Sequence, residues 1–112
     1  DDQRAFSHKI DIGQMRAYIS VETGKDAPGS VRQVTVTTQA GKENGIIDGL
    51  FESVGEIASL ALHYNVPLKE IVETWKGYDF QPAGFTQNAD IPHAKSIIDY
   101  VARFLELKFL QQ

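Results

Sequence analysis

Hydrophobic and polar residues alternate along the first forty residues, and this pattern predicts β-strands. The clearest run covers residues 15–22, where the apolar positions share one face: Met15, Ala17, Ile19 and Val21. A period of two with one apolar face is typical of an antiparallel strand that is buried on one side. A shorter alternating run, residues 8–12, precedes it, and Gly13-Gln14 predicts the turn between the two strands.

A third strand is predicted over residues 31–38, after a loop at residues 24–29 that contains two glycines and a proline. Val34 and Val36 share one face of this strand, but Val31 is out of phase with them. One extra residue in the strand would restore the phase. The sequence therefore predicts a β-bulge near Arg32-Gln33.

From residue 46 onward the apolar spacing changes to three and four, which predicts helices. The first helix carries a broad apolar stripe: Ile46, Ile47, Leu50, Phe51, Val54, Ile57, Ala58 and Ala61. Asn44 is a candidate N-cap, and Asn65 is a candidate left-handed stop. Gly49 and Gly55 each cost about 1 kcal/mol inside a helix, so they suggest close approach of a neighbouring strand or helix.

Two further helices are predicted after this stop. Pro67 suits the first turn of the second helix, and Gly77 follows its apolar residues Leu68, Ile71, Val72 and Trp75. Residues 78–89 are expected to be irregular. Asp90 is expected to cap the third helix, with Pro92 in its first turn.

Three strands followed by three helices predict an α+β fold: a small antiparallel sheet with the helices packed on one face. A chain of 112 residues is long enough for one modest core. We therefore expect a single domain, 1–112, with the strands in 1–40 and the helical part in 41–112.

Composition and charge narrow the function classes. The net charge is −4 and the basic residues are scattered, so the concentrated basic face that nucleic-acid binding requires is not predicted. Apolar runs are too short to span a membrane. The chain has no cysteine, so it forms no disulfide, thiolate metal site or redox pair, which fits a reducing compartment such as the cytoplasm. It opens at Asp1, with Met15 its single methionine, so a piece of a longer polypeptide is expected.

Histidines and carboxylates give no clear active site. His8, His63 and His93 each lack a second histidine or carboxylate at metal-ligand spacing, so no metal site and no catalytic residue is predicted. Asp90 with His93 is a weak hypothesis for a hydrolytic pair.

The remaining acids are expected to serve the helices. Glu70 and Glu73 lie near a helix start, where they complement the dipole. Asp99 and Arg103, four residues apart, predict a surface salt bridge.

Four aromatic residues surround the segment Pro82-Ala83-Gly84, and they are the candidate interaction surface: Trp75, Tyr78, Phe80 and Phe85. Irregular loops often carry function. Packing of the side chains of a long loop against the core would also bring these aromatic residues together. From the sequence alone we favour packing over binding.

Three segments resemble a known family. They are the run from Ser59 to Glu70 (which includes Tyr64-Asn65-Val66-Pro67-Leu68), the loop Phe80-Gln81-Pro82-Ala83-Gly84, and Gln87-Asn88-Ala89-Asp90-Ile91 followed by Ser96-Ile97-Ile98-Asp99-Tyr100 and Arg103. Together they resemble the C-terminal region of adenosylcobalamin (vitamin B12)-dependent class II ribonucleotide reductases. This region is related to the TSCPD domain. The likeness runs from about residue 41 to residue 110.

The resemblance implies a non-catalytic accessory domain of, or associated with, a B12-dependent reductase that makes deoxyribonucleotides for DNA replication. The Thr-Ser-Cys-Pro-Asp motif itself is absent, and the nearest positions read Thr86-Gln87-Asn88-Ala89-Asp90. The radical-forming cysteine and the barrel of such oxidoreductases are not found in this chain. No cofactor is therefore expected in the domain, and adenosylcobalamin is implied for the parent enzyme.

The expected partner is the catalytic barrel of the reductase or another protein, and a homo-oligomer is also open. The alternative is a free-standing small module that binds a nucleotide or a protein partner.

Overall fold

The structure, a computed structural model, describes residues 4–24, 29–38 and 45–110. Three strands come first: β1 (Arg4–Ile12), β2 (Met15–Thr23) and β3 (Val31–Thr38). The helices α1 (Ile46–His63) and α2 (Leu68–Trp75) follow. Two short strands, β4 (Gly84–Phe85) and β5 (His93–Ala94), precede α3 (Ile97–Leu105), which continues into a π-helical turn (Glu106–Leu110). The predicted α+β class is confirmed.

The main sheet is antiparallel in the order β1-β2-β3, with Gly13 at a positive φ in the tight turn between the first two strands. The first strand is longer than the sequence predicted, because residues 4–7 also pair with β2. The predicted bulge is confirmed: Gln33 lies opposite Glu22 and Val31 opposite Thr23, so Arg32 is the extra residue.

One face of the sheet forms the core together with the helices. Its buried side chains come from all three strands: Ile10, Ile12, Ala17, Ile19, Val21, Val31, Val34 and Val36. The core is completed by residues of α1, α2 and α3. The opposite face carries polar side chains, as the alternation predicts.

Helix α1 packs closely along β3. Gly55 lies so near the strand that a β-carbon there would come within 2.8 Å of the Val34 carbonyl oxygen. The backbone N–H groups of Val34 and Thr38 donate to Ser59 Oγ (3.0 Å) and to Asp48 Oδ1 (3.3 Å). Ser59 and Asp48 therefore accept hydrogen bonds from backbone N–H groups of the edge strand β3. Without these acceptors, the N–H groups would be open to pairing with another chain.

The apolar stripe of α1 is wider than the sheet can cover. Gly55, Ala58 and Leu62 are buried, whereas Ile46, Leu50 and Ile57 are 81%, 62% and 66% exposed. Asn65 ends the helix region with φ of 68°, which confirms the predicted left-handed stop. Helix α1 begins after Gly45, and the candidate cap Asn44 lies outside the described residues.

The predicted start of the third helix is wrong. Asp90 lies in an exposed turn, and the helix begins only at Ile97, where Ser96 Oγ accepts the N–H of Asp99 as the N-cap. The chain between Asp90 and Ser96 instead pairs β5 with β4. Pairing between β4 and β5 satisfies backbone N–H and C=O groups that would be hydrogen-bonded within the helix if the helix began earlier.

Candidate functional site

An apolar groove lies between α1, α2 and the loop after α2. Its volume is about 450 Å³. Its walls are formed by side chains from four parts of the chain: Leu50 and Val54 of α1, Trp75 of α2, Tyr78 and Phe80 of the loop, and Ile97 of α3. Such a concave, mostly apolar surface is the usual form of a site that binds an apolar partner.

Three of the four predicted aromatic residues meet at this groove, and the fourth does not. Trp75 is buried in the groove wall, while Tyr78 and Phe80 are exposed at its rim. Phe85 lies in β4, where its ring contacts the ring of His93 at 5.5 Å and it is 80% exposed. Phe85 therefore belongs to a different part of the surface.

The loop that carries Tyr78 and Phe80 is held by the buried carboxylate of Asp99. Its Oδ1 accepts the N–H of Gly77 (2.7 Å) and Nε of Arg103 (2.9 Å), and its Oδ2 accepts the N–H of Lys95 (2.8 Å). Asp99 thus joins both ends of the 76–96 segment to the first turn of α3. Gly77 adopts φ of 91°, which favours glycine at this point of the loop.

Two further hydrogen bonds fix the same loop. Ser96 Oγ donates to the carbonyl of Tyr78 (2.7 Å), and the N–H of Phe80 donates to the carbonyl of Lys95 (3.1 Å). The groove rim is therefore positioned by the N-terminus of α3. The spacing Ser96-x-x-Asp99 is the sequence signal for this arrangement, since a capping residue is often followed by an acid three residues later.

The predicted surface position of Asp99 is wrong, because its side chain is completely buried. Burial alone would raise the pKa of Asp99. Hydrogen bonds from the Lys95 and Gly77 N–H groups, together with Arg103, outweigh burial and hold the pKa below its ordinary value. The carboxylate stays ionised, and its pairing with Arg103 is a part-buried structural contact.

A second polar cluster joins β1 to α3. The hydroxyl of Tyr100 lies 2.7 Å from His8 Nε2 and accepts Nδ2 of Asn88 at 2.9 Å. The Tyr100 hydroxyl therefore joins His8 of β1 to Asn88 in the loop before α3. The His8 ring also stacks on Phe104, with 4.3 Å between the ring centroids.

The protonation of this cluster follows from its surroundings. Burial, with a smaller effect of the Lys108 charge, lowers the pKa of His8. Burial raises the pKa of Tyr100, although the hydrogen bond from Asn88 opposes that rise. A neutral His8 accepting from a protonated Tyr100 is consistent with both shifts. The cluster is a hydrogen-bonded core contact in which each of the three side chains has a partner.

The other sequence candidates are dispersed. His63 ends α1 and His93 lies in β5, and both are exposed. Glu70 and Glu73 are exposed on α2. Within residues 4–24, 29–38 and 45–110, no three histidine or acidic side chains come together as a metal-binding group. None of the helices in these ranges is both long and apolar enough to cross a membrane.

Comparison with known proteins finds a family model and several relatives that match most of this chain. A family model described as the TSCPD domain matches residues 1–109. A vitamin B12-dependent ribonucleotide reductase of Rhodopirellula baltica is 34% identical over 110 residues, which cover 98% of this chain and 10% of that protein. The enzyme of the same name from Agrobacterium fabrum is 31% identical over 109 residues, covering 96% of this chain and 8% of that protein.

A shorter match, 36% identical over 69 residues, is found in the vitamin B12-dependent ribonucleotide reductase of Streptomyces coelicolor. It covers 62% of this chain and 7% of that protein. The chain therefore spans a tenth or less of the length of these relatives. No solved structure matches this chain.

Proposed function

The chain belongs to the TSCPD domain family, and we propose that it is a non-catalytic accessory domain of a vitamin B12-dependent ribonucleotide reductase. The observation that carries the proposal is the extent of the match: nearly the whole of this chain corresponds to about a tenth of each relative. In this role residues 1–112 form one domain that packs against the rest of the reductase, including its catalytic barrel.

The exposed apolar face of α1 supports this role. Leu50 and Ile57 are each more than half exposed on this helix, and Leu50 lines the same groove as Tyr78 and Phe80. A contiguous apolar patch of this kind marks an interaction site on a soluble domain. A packed neighbour would remove these side chains from water.

We propose that the cofactor of the parent enzyme is held outside this domain. Within the part of the chain that the structure describes, no three histidine or acidic side chains come together as a metal-binding group. We therefore place adenosylcobalamin, and the thiol chemistry that this cysteine-free chain lacks, in the remainder of the polypeptide.

A cytoplasmic location follows from the proposed role, since deoxyribonucleotide synthesis uses soluble nucleotides and a reducing environment. The free-standing module is the weaker alternative, because the matched relatives contain this domain within much longer chains.

The size of the native polypeptide tests the proposal first. An antibody against this domain, used on an immunoblot of source cells, is expected to detect a band several times larger than 12.5 kDa. The purified polypeptide is expected to reduce ribonucleotides only when adenosylcobalamin is added. A single band near 12.5 kDa, without reductase activity, would overturn the proposal.

Hydrogen exchange tests the packing independently. The amides of α1 are expected to exchange more slowly in the native polypeptide than in the 112-residue chain, because a neighbour covers the helix. Strand β2, which is already central in the sheet, is the internal control. Equal exchange of α1 in both proteins would contradict packing through this face.

A further inference from the structure

The two edges of the main sheet differ in how the rest of the chain covers them. Strand β3 forms one edge, and side chains of α1 accept its N–H groups at Val34 and Thr38. Strand β1 forms the other edge. Within the described residues, the pairing on the outer side of β1 is limited to an isolated antiparallel bridge between Ile12 and Thr86, at the end of the strand.

The hairpin fixes which backbone groups of β1 face outward. Two residues separate Ile12 from Met15 in the turn, so these two form a hydrogen-bonded pair and the pairs alternate from there. Three exposed residues therefore have backbone groups that point away from β2: Ala5, Ser7 and Lys9. Their N–H groups have no hydrogen-bond partner in residues 4–24, 29–38 and 45–110. Such an open row is a template for another strand.

The surface beside this edge has room for a strand. An open groove of about 710 Å³ lies there, and its lining includes His8 and Lys9 of β1, Phe104 of α3 and Leu107 of the π-helical turn. An added strand would lie about 4.8 Å from β1. It would also approach Leu107, which is 40% exposed.

Strand β1 can pair with its own copy. Two identical antiparallel strands are related by a twofold axis, and an axis at Ser7 places Ser7 opposite Ser7 of the second copy and Ala5 opposite its Lys9. All three outward residues then lie in pairs that each exchange two backbone hydrogen bonds. A register centred nearer Ile12 would meet the segment that carries Thr86.

Charge favours the same register. Lys9 would lie over the small side chain of Ala5 of the second copy, whose neighbour on β2 is Glu22. Two strand spacings, about 10 Å, separate the Cα atoms of Lys9 and that Glu22, a distance that the two extended side chains bridge. Glu22 forms no ion pair within the described residues, whereas Asp11, 4.0 Å from Lys9, is already bound by Arg16 at 3.0 Å. A register with Lys9 opposite Lys9 would be opposed by like charge.

We propose that β1 pairs antiparallel with β1 of a second copy of this chain, about a twofold axis at Ser7, and that the two sheets become one sheet of six strands. Addition of a strand to an open sheet edge is a recurrent mode of protein association. The helices of both copies lie on the same side of the joined sheet, because directly opposite residues share a face. The proposal goes beyond the proposed function, since it makes the domain a point of contact between two polypeptides.

An introduced cysteine tests the register, because the 112-residue chain has no cysteine of its own. Opposed residues in a hydrogen-bonded antiparallel pair have Cα atoms about 5.5 Å apart, which suits a disulfide. Ser7→Cys is therefore expected to give a disulfide-linked dimer under mild oxidation. The matched control is Thr37→Cys, which is also exposed but lies on β3, and it is expected to stay mostly monomeric. Equal crosslinking of the two variants, or none at Ser7→Cys, would overturn the proposal.

Sedimentation at rising concentration measures the association itself. The mass of the wild-type chain is expected to rise from 12.5 kDa towards twice that value. Ser7→Pro removes an outward N–H that the β1–β2 ladder does not use, so it is expected to abolish the dimer and leave the circular dichroism spectrum unchanged. A wild-type chain that stays monomeric, or a dimer that survives Ser7→Pro and so forms through another face, would overturn the proposal.

A charge exchange tests the contact between Lys9 and Glu22 without altering the backbone. Lys9→Glu and Glu22→Lys are each expected to weaken dimerisation about fivefold at low salt, and less at high salt. The double variant is expected to restore the affinity of the wild type. Single variants that dimerise as well as the wild type, or a double variant weaker than either, would contradict this register. A monomeric result in all of these experiments would leave the accessory role in the reductase intact.

Discussion

The carboxylate of Asp99 accepts the backbone N–H of Gly77 at 2.7 Å, across 22 residues of sequence. This bond ties the end of α2 to the first turn of α3 and sets the position of the loop at the groove rim. A buried acceptor that serves several donors is costly to remove, because each donor is left without a partner.

Removing this acceptor is expected to destabilise the chain strongly. Asp99→Ala leaves the N–H groups of Gly77 and Lys95 unpaired, and the expected loss is about 3 kcal/mol in the free energy of unfolding. Urea denaturation followed by circular dichroism measures it. The matched control is Asp90→Ala on an exposed turn, for which a change within about 0.5 kcal/mol is expected. Similar losses for both variants would contradict the role of Asp99.

The same carboxylate predicts an acid-dependent loss of stability. The pKa of Asp99 is lower in the folded chain than its ordinary value of 3.8, so its contribution is fully present above that value. The contribution is lost as the pH falls through the lower folded-state pKa. Urea unfolding of the wild type and of Asp99→Asn between pH 7 and pH 2 is expected to show a stability difference that shrinks below about pH 4. A difference that stays constant down to pH 2 would argue against a lowered pKa.

The lowered pKa of His8 leads us to expect a second pH dependence of the stability, at higher pH than that of Asp99. Its pKa is lower in the folded chain than the ordinary value of 6.5, so the unfolded chain binds the proton more readily. Stability from neutral His8 is therefore present above pH 6.5 and is lost as the pH falls towards the folded-state pKa. An NMR titration of the ring is expected to give a pKa below 6.5, and Lys108→Gln is expected to raise it by removing a nearby charge. A His8 pKa at or above 6.5, or one that Lys108→Gln leaves unchanged, would contradict this interpretation.

The elements with a local signal were predictable from the sequence. The phase of Val31 against Val34 placed the bulge, and Asn65 placed the end of the first helix region, because both depend on neighbouring residues alone. The start of the last helix was missed because Asp90 and Pro92 have the composition of a helix start. Pairing of β5 with β4, a contact between segments nine residues apart, overrides that local preference.

The candidate site was only partly predictable, because its geometry depends on contacts between distant segments. The aromatic residues around Pro82 gave the composition of the rim, yet Phe85 faces away on β4 while Leu50 and Val54 of α1 form the opposite wall. The stripe on α1 was visible, but how much of it the sheet covers depends on how the helix packs. The burial of Asp99 had the Ser96-x-x-Asp99 spacing as its single local signal.

Two glycines of α1 provide the last prediction, as a matched pair. Gly55→Ala would place a methyl group 2.8 Å from the Val34 carbonyl oxygen, so α1 must move away from β3, whereas the same change at Gly49 meets no atom within 4 Å. Alanine favours the helix by about 1 kcal/mol, so Gly49→Ala is expected to stabilise the chain by roughly 0.5 to 1 kcal/mol. Gly55→Ala is expected to destabilise it by about 1 to 2 kcal/mol, since overpacking exceeds that gain. Urea unfolding measures both, and stabilisation by both substitutions would show that α1 is free to shift from the sheet.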